Sequence, residues 1–231
     1  ELVMYNKIFL EMTRIVNLVD PKKLIFIAID GPCPKPKMIQ QRLRRYKSAK
    51  EKKEWDTNAI TPGTDFMNDL EIFILKNIHR FSRKVIFSSA NEPGEGEHKI
   101  FDYIRNNNID SNVIYGLDAD LIMLSMISTS TNIYLIRERT EYNFEGMDCD
   151  YVYLDIHKLK DAIINNIKPK EYNLSNTCLI NDYIFLCFFI GNDFIQHTPS
   201  INIRYKGLDH LINTYKALCD KYNGNFYLID T

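Results

Sequence analysis

The sequence predicts an α/β fold with a mostly parallel β-sheet, helices on both of its faces, and a helical C-terminal part. Two observations lead to this prediction. Short, continuous apolar runs, which are typical of strands buried on both faces, alternate along the chain with segments of helical periodicity. Strands and helices that alternate in this way favour parallel strands joined by helical crossovers. The 231 residues, 45% of them hydrophobic, suffice for one substantial core.

The predicted elements follow in order. An amphipathic helix opens the chain, because apolar residues recur at helical spacing from Leu2 to Val19. Strands are predicted over residues 21–30, 83–90, 111–116 and 131–138. Helices are predicted over residues 37–55, 64–81 and 98–107, after Asp120, and over residues 155–168 and 207–222, while residues 181–190 fit a helix or a strand. No repeat or linker marks a boundary, so a single domain is expected.

Composition excludes several classes of protein. No apolar run reaches the roughly 18 to 20 residues that a membrane span needs, and the first residues do not form a signal peptide. The five cysteines are scattered and contain no C-x-x-C pair that would indicate a zinc site. These features predict a soluble protein of the cytoplasm, with the nucleus as the alternative compartment.

Acidic residues follow the predicted strands at equivalent places. Because the carboxyl ends of parallel strands meet at one edge of a sheet, these side chains are expected to converge. A further acid follows the apolar segment 181–190 and either joins the cluster or caps a helix. A single Asp at a strand end is more often a cap or turn residue than a ligand, but several equivalent places favour a site. The candidates are Asp30, Glu95, Glu97, Asp118, Asp120 and Asp193.

Crowded carboxylates repel one another unless cations are present. Mg²⁺ suits them, since it takes oxygen ligands in octahedral geometry, and Mn²⁺ is expected to substitute for it. Two such ions about 4 Å apart can activate a water and stabilise the leaving oxygen in phosphodiester hydrolysis. The acidic residues therefore predict a two-metal site. The segment PGEGEHKI is notable, because its glycines allow Glu95 and Glu97 to point towards one place.

The predicted helix after residue 35 is strongly basic. Residues 35–55 contain nine Lys and Arg against two Glu, a local charge of +7 in a chain whose net charge is −1. Four side chains fall within an arc of about 100° on one helix face and suit a terminal phosphate, although a solvated basic face is an equal alternative. Apolar residues on the opposite face are expected to pack on the sheet. The donors are Lys37, Gln41, Arg44 and Arg45, and the apolar residues are Ile39, Leu43 and Tyr46.

Five sequence blocks occur in the order and at about the spacing found in a known family. They are IDGPCPKPKMIQQRLRRYKSAKE, NAITPGTDFM, VIFSSANEPGEGEHKIFDYIR, VIYGLDADLIML and FIGNDFIQHTPSINI. In these blocks the chain resembles the XRN family of 5′→3′ exoribonucleases, over nearly its whole length. The resemblance implies a PIN and flap-nuclease-like catalytic domain that uses Mg²⁺ to hydrolyse single-stranded RNA, one nucleotide at a time, from a 5′-monophosphate end.

The resemblance assigns the six acids above to metal binding and the four donors of the basic helix to the 5′ phosphate. It also implies an incomplete nuclease domain over residues 1–231, lacking the first strand of the family and segments further downstream, and so inactive by itself. Two alternatives stay open: a flap-type, structure-specific DNA nuclease, and a nuclease-like domain that only binds RNA. His98 is expected to stabilise the start of its helix or to pack locally rather than to act as a base. Trp55 is expected to be a packing residue, with stacking on RNA as the alternative.

Overall fold

A computed structural model describes residues 1–50, 55–116, 118–139 and 149–230. Residues 51–54, 117, 140–148 and 231 lie outside the described part, and with them the predicted C-terminal turn of the basic helix. The chain divides into two compact units, Glu1–Asn107 and Asn108–Thr231. Each unit contains its own sheet.

The first unit is built around two parallel strands. Its elements are, in chain order, α1 (Leu2–Val19), β1 (Leu24–Ala28), α2 (Lys35–Lys50), α3 (Asp65–Asn77), β2 (Lys84–Ser88) and α4 (Gly96–Asn107), with 3₁₀ turns at Thr57–Ala59 and Ile78–Arg80. In the parallel pair of β1 and β2, Leu24 lies opposite Lys84 and Ala28 opposite Ser88. Both strands therefore end at the same edge, where the loops that follow them meet.

Aromatic and aliphatic side chains of α1 and α3 form the core of this unit. Tyr5 and Phe9 are the buried residues of α1, as its periodicity predicts. The ring of Tyr5 lies 5.1 Å from that of Phe66, which also contacts Trp55 at the same centroid distance. The predicted packing role of Trp55 is thus confirmed. The helix α3 begins where Thr64 caps the backbone N–H of Met67.

The described residues of the second unit form three strands and four helices. Its elements are β3 (Ser111–Tyr115), α5 (Asp120–Ile127), β4 (Asn132–Glu138), β5 (Tyr151–Asp155), α6 (Ile156–Ile167), α7 (Asn176–Phe188) and α8 (Gly207–Lys221), with a 3₁₀ turn at Ile203–Tyr205. β4 is the central strand, parallel to β3 and antiparallel to β5. Its residue Ile136 is fully buried. The side chain of Asp155, the last residue of β5, caps α6.

The α/β class and the helical C-terminal part are confirmed. Two of the three strand pairings within the described residues are parallel, and α4 packs against β1 as α6 does against β4. Two differences stand out. Among the described residues, strand pairing forms two sheets, one in each unit, whereas a single sheet was expected. The sequence analysis also missed β5, an edge strand whose short apolar run is half-buried and leads directly into α6. The prediction of a single domain stays a prediction.

None of the helices in the described ranges combines the length and the apolar character that crossing a membrane requires.

Candidate metal centre and basic helix

Two loops run side by side at the carboxyl ends of β1 and β2. The N–H of Gly31 donates to the carbonyl of Gly94 at 2.8 Å, and the N–H of Gly94 donates to that of Pro32 at 3.0 Å. Gly94 has a φ of +103°, which favours glycine. A Cβ on Gly31 would lie 1.7 Å from the carbonyl oxygen of Glu92. The two glycines therefore allow the loop that carries Glu95 to approach the end of β1.

Asp30 connects the first strand to the second loop. Its Oδ1 accepts a 2.7 Å hydrogen bond from the backbone N–H of Gly96, the first residue of α4. A carboxylate at a helix N-terminus is stabilised by the exposed N–H groups and the helix dipole. Asp30 is otherwise exposed, so it can position the Glu95 loop and still offer its outer oxygen to a ligand.

Glu95, Glu97 and His98 form a cluster at this edge. Each offers one ligand atom, and these atoms lie within 4.8 Å of one another. Glu95 is only 3% exposed, and its Oε1 accepts no hydrogen bond from the described residues. Sequence reasoning assigned His98 to local packing and did not foresee its place beside two carboxylates. The available signal was its position directly after Glu97, at the start of a helix.

This cluster fits a divalent cation. A buried carboxylate oxygen without a hydrogen-bond donor is costly, and a cation satisfies it. Carboxylate oxygens suit Mg²⁺ and Mn²⁺, and an imidazole is a better ligand for Mn²⁺ than for Mg²⁺. Glu95 and Glu97 are the residues that would hold the ion, with His98 as a third ligand within reach.

Lys37 lies against this cluster. Its Nζ is 2.7 Å from Oε2 of Glu95, and the two side chains are 11% and 3% exposed. An ammonium and a carboxylate at this distance form a charge-assisted hydrogen bond. The basic helix and the acidic loop, 58 residues apart in sequence, are thus in direct contact. The predicted role of Lys37 in phosphate binding stays a prediction.

The orientation of α2 differs from the expectation. Ile39, Leu43 and Tyr46 are 63%, 60% and 64% exposed, so the prediction that this face packs on the sheet is wrong. Lys37 is the buried residue of the helix, and Gln41 is half-buried one turn later. The opposite face of the helix turns inward because Lys37 pairs with Glu95, and a buried carboxylate needs a counter-charge.

The inward face of α2 is therefore polar. Gln41 accepts hydrogen bonds through Oε1 from Nη2 of Arg45 at 3.1 Å and from Sγ of Cys33 at 3.3 Å. Asn58 donates to the backbone carbonyl of Arg45 at 3.4 Å, so the loop after the helix holds this turn. Arg44 lies next to this face and is exposed. The four predicted phosphate ligands thus include one that binds Glu95, two that contact each other and one that faces solvent.

Lys99, which sequence reasoning missed, supports the same edge. Its Nζ donates to the carbonyl of Ile29 at 2.9 Å and to that of Ser89 at 2.8 Å, and so it bridges the ends of β1 and β2. Burial lowers the pKa of the Lys99 ammonium, while Glu92 and Asp30 oppose this shift. The side chain ties together the two strands that the acidic residues follow.

The other candidate acids belong to the second unit. Asp118 and Asp120 follow β3, and Oδ1 of Asp118 accepts a 3.1 Å hydrogen bond from the N–H of Asp120, which begins α5. Asp193 lies in the turn after α7, beside Asn192. The Oδ1 atom of Asn192 accepts hydrogen bonds from the N–H groups of Phe194 and Ile195. Asp30, Glu95 and Glu97 thus lie together in the first unit, and Asp118 and Asp120 in the second. The convergence of all six stays a prediction.

Family comparisons agree with the resemblance noted in the sequence. The model of the XRN 5′-3′ exonuclease N-terminus matches residues 1–54 and 50–139, and that of the Xrn1 helical domain matches residues 172–231. The chain belongs to the XRN family. Together the two XRN models cover residues 1–139 and 172–231, which include α2 and every candidate acid.

Curated XRN relatives span a wide range of animals and fungi. A protein of Drosophila melanogaster named 5′-3′ exoribonuclease 2 homolog is 31% identical over 97% of this chain and 33% of its own length. The Gallus gallus 5′-3′ exoribonuclease 2 is 30% identical over 94% of this chain and 31% of its own length. An Aspergillus fumigatus protein of the same name is 32% identical over 92% and 28%. The chain therefore spans about a third of the length of these relatives.

A solved structure of the catalytic core of Rad2 in complex with a DNA substrate is a weaker match. It covers 87% of this chain and 51% of its own, with a TM-score of 0.43 and 18% sequence identity. This similarity is too weak to assign a fold or a substrate to the chain. The relation to flap nucleases therefore stays a prediction.

Proposed function

We propose that the protein is a divalent-metal-dependent 5′→3′ exoribonuclease that degrades single-stranded RNA with a 5′-monophosphate and releases mononucleotides processively. Membership of the XRN family and the names of the relatives support the class of reaction. The observation that carries the proposal is the cluster of the buried Glu95 with the half-buried Glu97 and His98, in which Glu95 contacts Lys37 of the basic helix. A carboxylate proposed to bind metal thus lies next to the helix proposed to bind phosphate.

The acidic residues are proposed to hold Mg²⁺, which Mn²⁺ can replace. Glu95 and Glu97 are the central ligands, and Asp30 offers its outer oxygen from the next loop. When bound, a pair of such ions supplies an activated water and stabilises the leaving oxygen of the scissile phosphodiester. The ligands proposed from the second unit are Asp118, Asp120 and Asp193.

The basic helix is proposed to select the end of the RNA. Arg44 is exposed and available for bidentate contacts to a terminal phosphate, and the Arg45 guanidinium is held by Gln41. A single phosphate carries up to two negative charges near neutral pH, which the strongly basic segment compensates. A 5′-hydroxyl end lacks this charge and is expected to bind weakly.

Degradation of a 3′-labelled single-stranded RNA tests the proposal. The full-length protein is incubated with Mg²⁺ and with 5′-monophosphate or 5′-hydroxyl versions of the same RNA, because residues 1–231 alone are expected to be inactive. We expect loss of the monophosphate version only, with labelled full-length RNA giving way to mononucleotide without intermediates, and no loss in EDTA. Equal degradation of both versions, or degradation in EDTA, would contradict the proposal. A matched DNA strand separates an exoribonuclease from a DNA nuclease.

Replacement of two arginines tests the proposed phosphate pocket. Each charge-assisted hydrogen bond contributes about 1.5–3 kcal/mol, so Arg44→Ala with Arg45→Ala is expected to lower the preference for the 5′-monophosphate at least about tenfold. The matched control is Arg42→Ala, which removes an exposed arginine of the same helix. An unchanged preference in the double variant would show that these arginines do not recognise the phosphate.

The expected cytoplasmic location is tested separately by imaging a tagged protein in cells.

A further inference from the structure

The contact between Lys37 and Glu95 joins two sites that the proposed function treats separately. Glu95 belongs to the metal-binding cluster, and Lys37 belongs to the helix proposed to bind the 5′ phosphate. Both side chains are nine-tenths buried, and their charged atoms are 2.7 Å apart. A carboxylate buried to this degree requires a counter-charge. Lys37 is therefore the counter-ion of Glu95.

A divalent cation competes for the same charge. The Oε1 atom of Glu95 accepts no hydrogen bond from the described residues, so it is the atom offered to the cation, while Oε2 holds the ammonium. Cations on the two oxygens of one carboxylate lie within about 6 Å of each other, a distance at which like charges disfavour each other. Binding of the divalent cation thus weakens the hold of Glu95 on Lys37.

The ammonium of Lys37 can also reach a second anion on the same face of α2. Gln41 and Arg45 follow it at one-turn intervals on the inward face of α2. A lysine side chain is a flexible stem with a compact charge, so its ammonium can turn towards a neighbouring anion without movement of the helix. A terminal phosphate on this face would provide that anion.

We propose that Lys37 is a shared cation, which passes from Glu95 to the terminal phosphate when a divalent cation binds Glu95. The inference rests on the proposed function and adds a coupling between the two ligands of the site. The divalent cation and the 5′ phosphate bind cooperatively, because each removes the competitor of the other. By thermodynamic linkage the coupling is reciprocal, and couplings of about 5- to 150-fold are typical.

Titration calorimetry with Mn²⁺ measures this coupling directly. Mn²⁺ is added to the protein in the presence of a saturating RNA dinucleotide that has a non-hydrolysable methylenephosphonate linkage and a 5′ phosphate, or of the same dinucleotide with a 5′ hydroxyl. We expect the Kd of Mn²⁺ to be about tenfold lower with the phosphorylated probe. In Lys37→Met the coupling disappears, and Mn²⁺ alone binds more tightly than in the wild type, because the competing ammonium is gone. Lys35→Met, which removes an exposed lysine of the same helix, keeps the coupling.

The outcomes separate the inference from the proposed function. If the wild type binds Mn²⁺ and degrades 5′-monophosphate RNA but its Mn²⁺ affinity is the same with both probes, the inference is overturned and the function stands. If Glu97→Gln leaves Mn²⁺ binding unchanged, the cluster is not the metal site, and both are overturned. Retained coupling in Lys37→Met also overturns the inference. If Lys37→Met does not fold, the wild-type comparison of the two probes still decides between the outcomes.

Discussion

The two units of the molecule each bury a carboxylate, and they treat it differently. In the second unit, Asp182 of α7 is fully buried and completely satisfied: Oδ1 accepts the N–H groups of Leu228 and Ile229 at 3.0 Å each, and Oδ2 accepts the hydroxyl of Tyr215 at 2.8 Å. In the first unit, Glu95 is paired with Lys37 through one oxygen, and its other oxygen accepts no hydrogen bond from the described residues.

The difference distinguishes a carboxylate whose hydrogen bonds stabilise the fold from one whose unsatisfied oxygen supports the proposed binding of a metal ion. Neutral donors form hydrogen bonds to both oxygens of Asp182. These bonds connect residues 228–229 to α7, and α8 to α7. The hydrogen bonding of Tyr215 fits this role, since burial and then the bond to Asp182 raise the pKa of its hydroxyl. Glu95 keeps an acceptor and lies beside two further ligand atoms. Burial alone therefore does not distinguish the two acids, and the unsatisfied oxygen of Glu95 is the difference that supports its proposed role in metal binding.

The largest effect is expected from Glu97→Gln, which removes a charge from the cluster of the first unit. We expect loss of Mn²⁺ binding and at least about a 1000-fold decrease in RNA hydrolysis, equivalent to about 4 kcal/mol of transition-state stabilisation. The unfolding temperature should stay the same or rise, because a repulsive charge next to Glu95 is gone. Calorimetry, a nuclease assay and thermal unfolding check the three parts. Asp102→Asn, an exposed site on the same helix, is the control.

Asp182→Ala should have the opposite profile. Three donors lose a charged acceptor in a buried place, so we expect the free energy of unfolding to fall by about 4 kcal/mol. The Kd of Mn²⁺ for the folded protein should be unchanged. Urea unfolding and calorimetry measure the two quantities, and Asp220→Ala, which is exposed on α8, should change stability by no more than about 0.5 kcal/mol. Lost metal binding in a folded Asp182→Ala protein would contradict the division of roles.

Tyr215→Phe sharpens the same comparison with a smaller change. It removes one of the three donors to Asp182 and leaves the ring in the core. The expected loss is about 1.5–2 kcal/mol of unfolding free energy, the value of one hydrogen bond to a charged group. A loss as large as that of Asp182→Ala would mean that the backbone donors contribute nothing, and no loss would mean that the hydroxyl contributes nothing.

The smallest effect is expected from Leu43→Glu on the exposed face of α2. Because Leu43 is 60% exposed, the free energy of unfolding should change by no more than about 0.5 kcal/mol. The orientation expected from the sequence, with this residue packed on the sheet, would instead give a loss of about 2–5 kcal/mol. Urea unfolding distinguishes the two orientations.

The sequence predicted the elements well because apolar spacing is local. The helices α1, α4, α6 and α8 and the strands β1 to β4 lie within a few residues of their predicted bounds. The inward face of α2 could not be predicted in this way. Its orientation depends on a charge pair with Glu95, which is distant in sequence, and a helical pattern contains no information about such a partner.

The candidate site was predicted in part for the same reason. The glycines of PGEGE indicate that Glu95 and Glu97 share a turning segment, and the structure places both in one cluster. The contributions of His98 and Lys99 depend on where a helix start and two strand ends lie in space. Lys99 contacts the carbonyl of Ile29 across 70 residues of chain, and such a contact leaves no pattern in the sequence.

Gly31 has a consequence for how inactive copies of such a chain are recognised. A methyl group at this position would overlap a backbone carbonyl oxygen, which cannot move aside as a flexible side chain can. The loop would have to shift, and Gly94 and the acid that follows it would shift with it. A copy with alanine here would retain every acidic residue and yet hold them out of place. A search for degenerate copies that counts only missing acids would classify such a copy as intact.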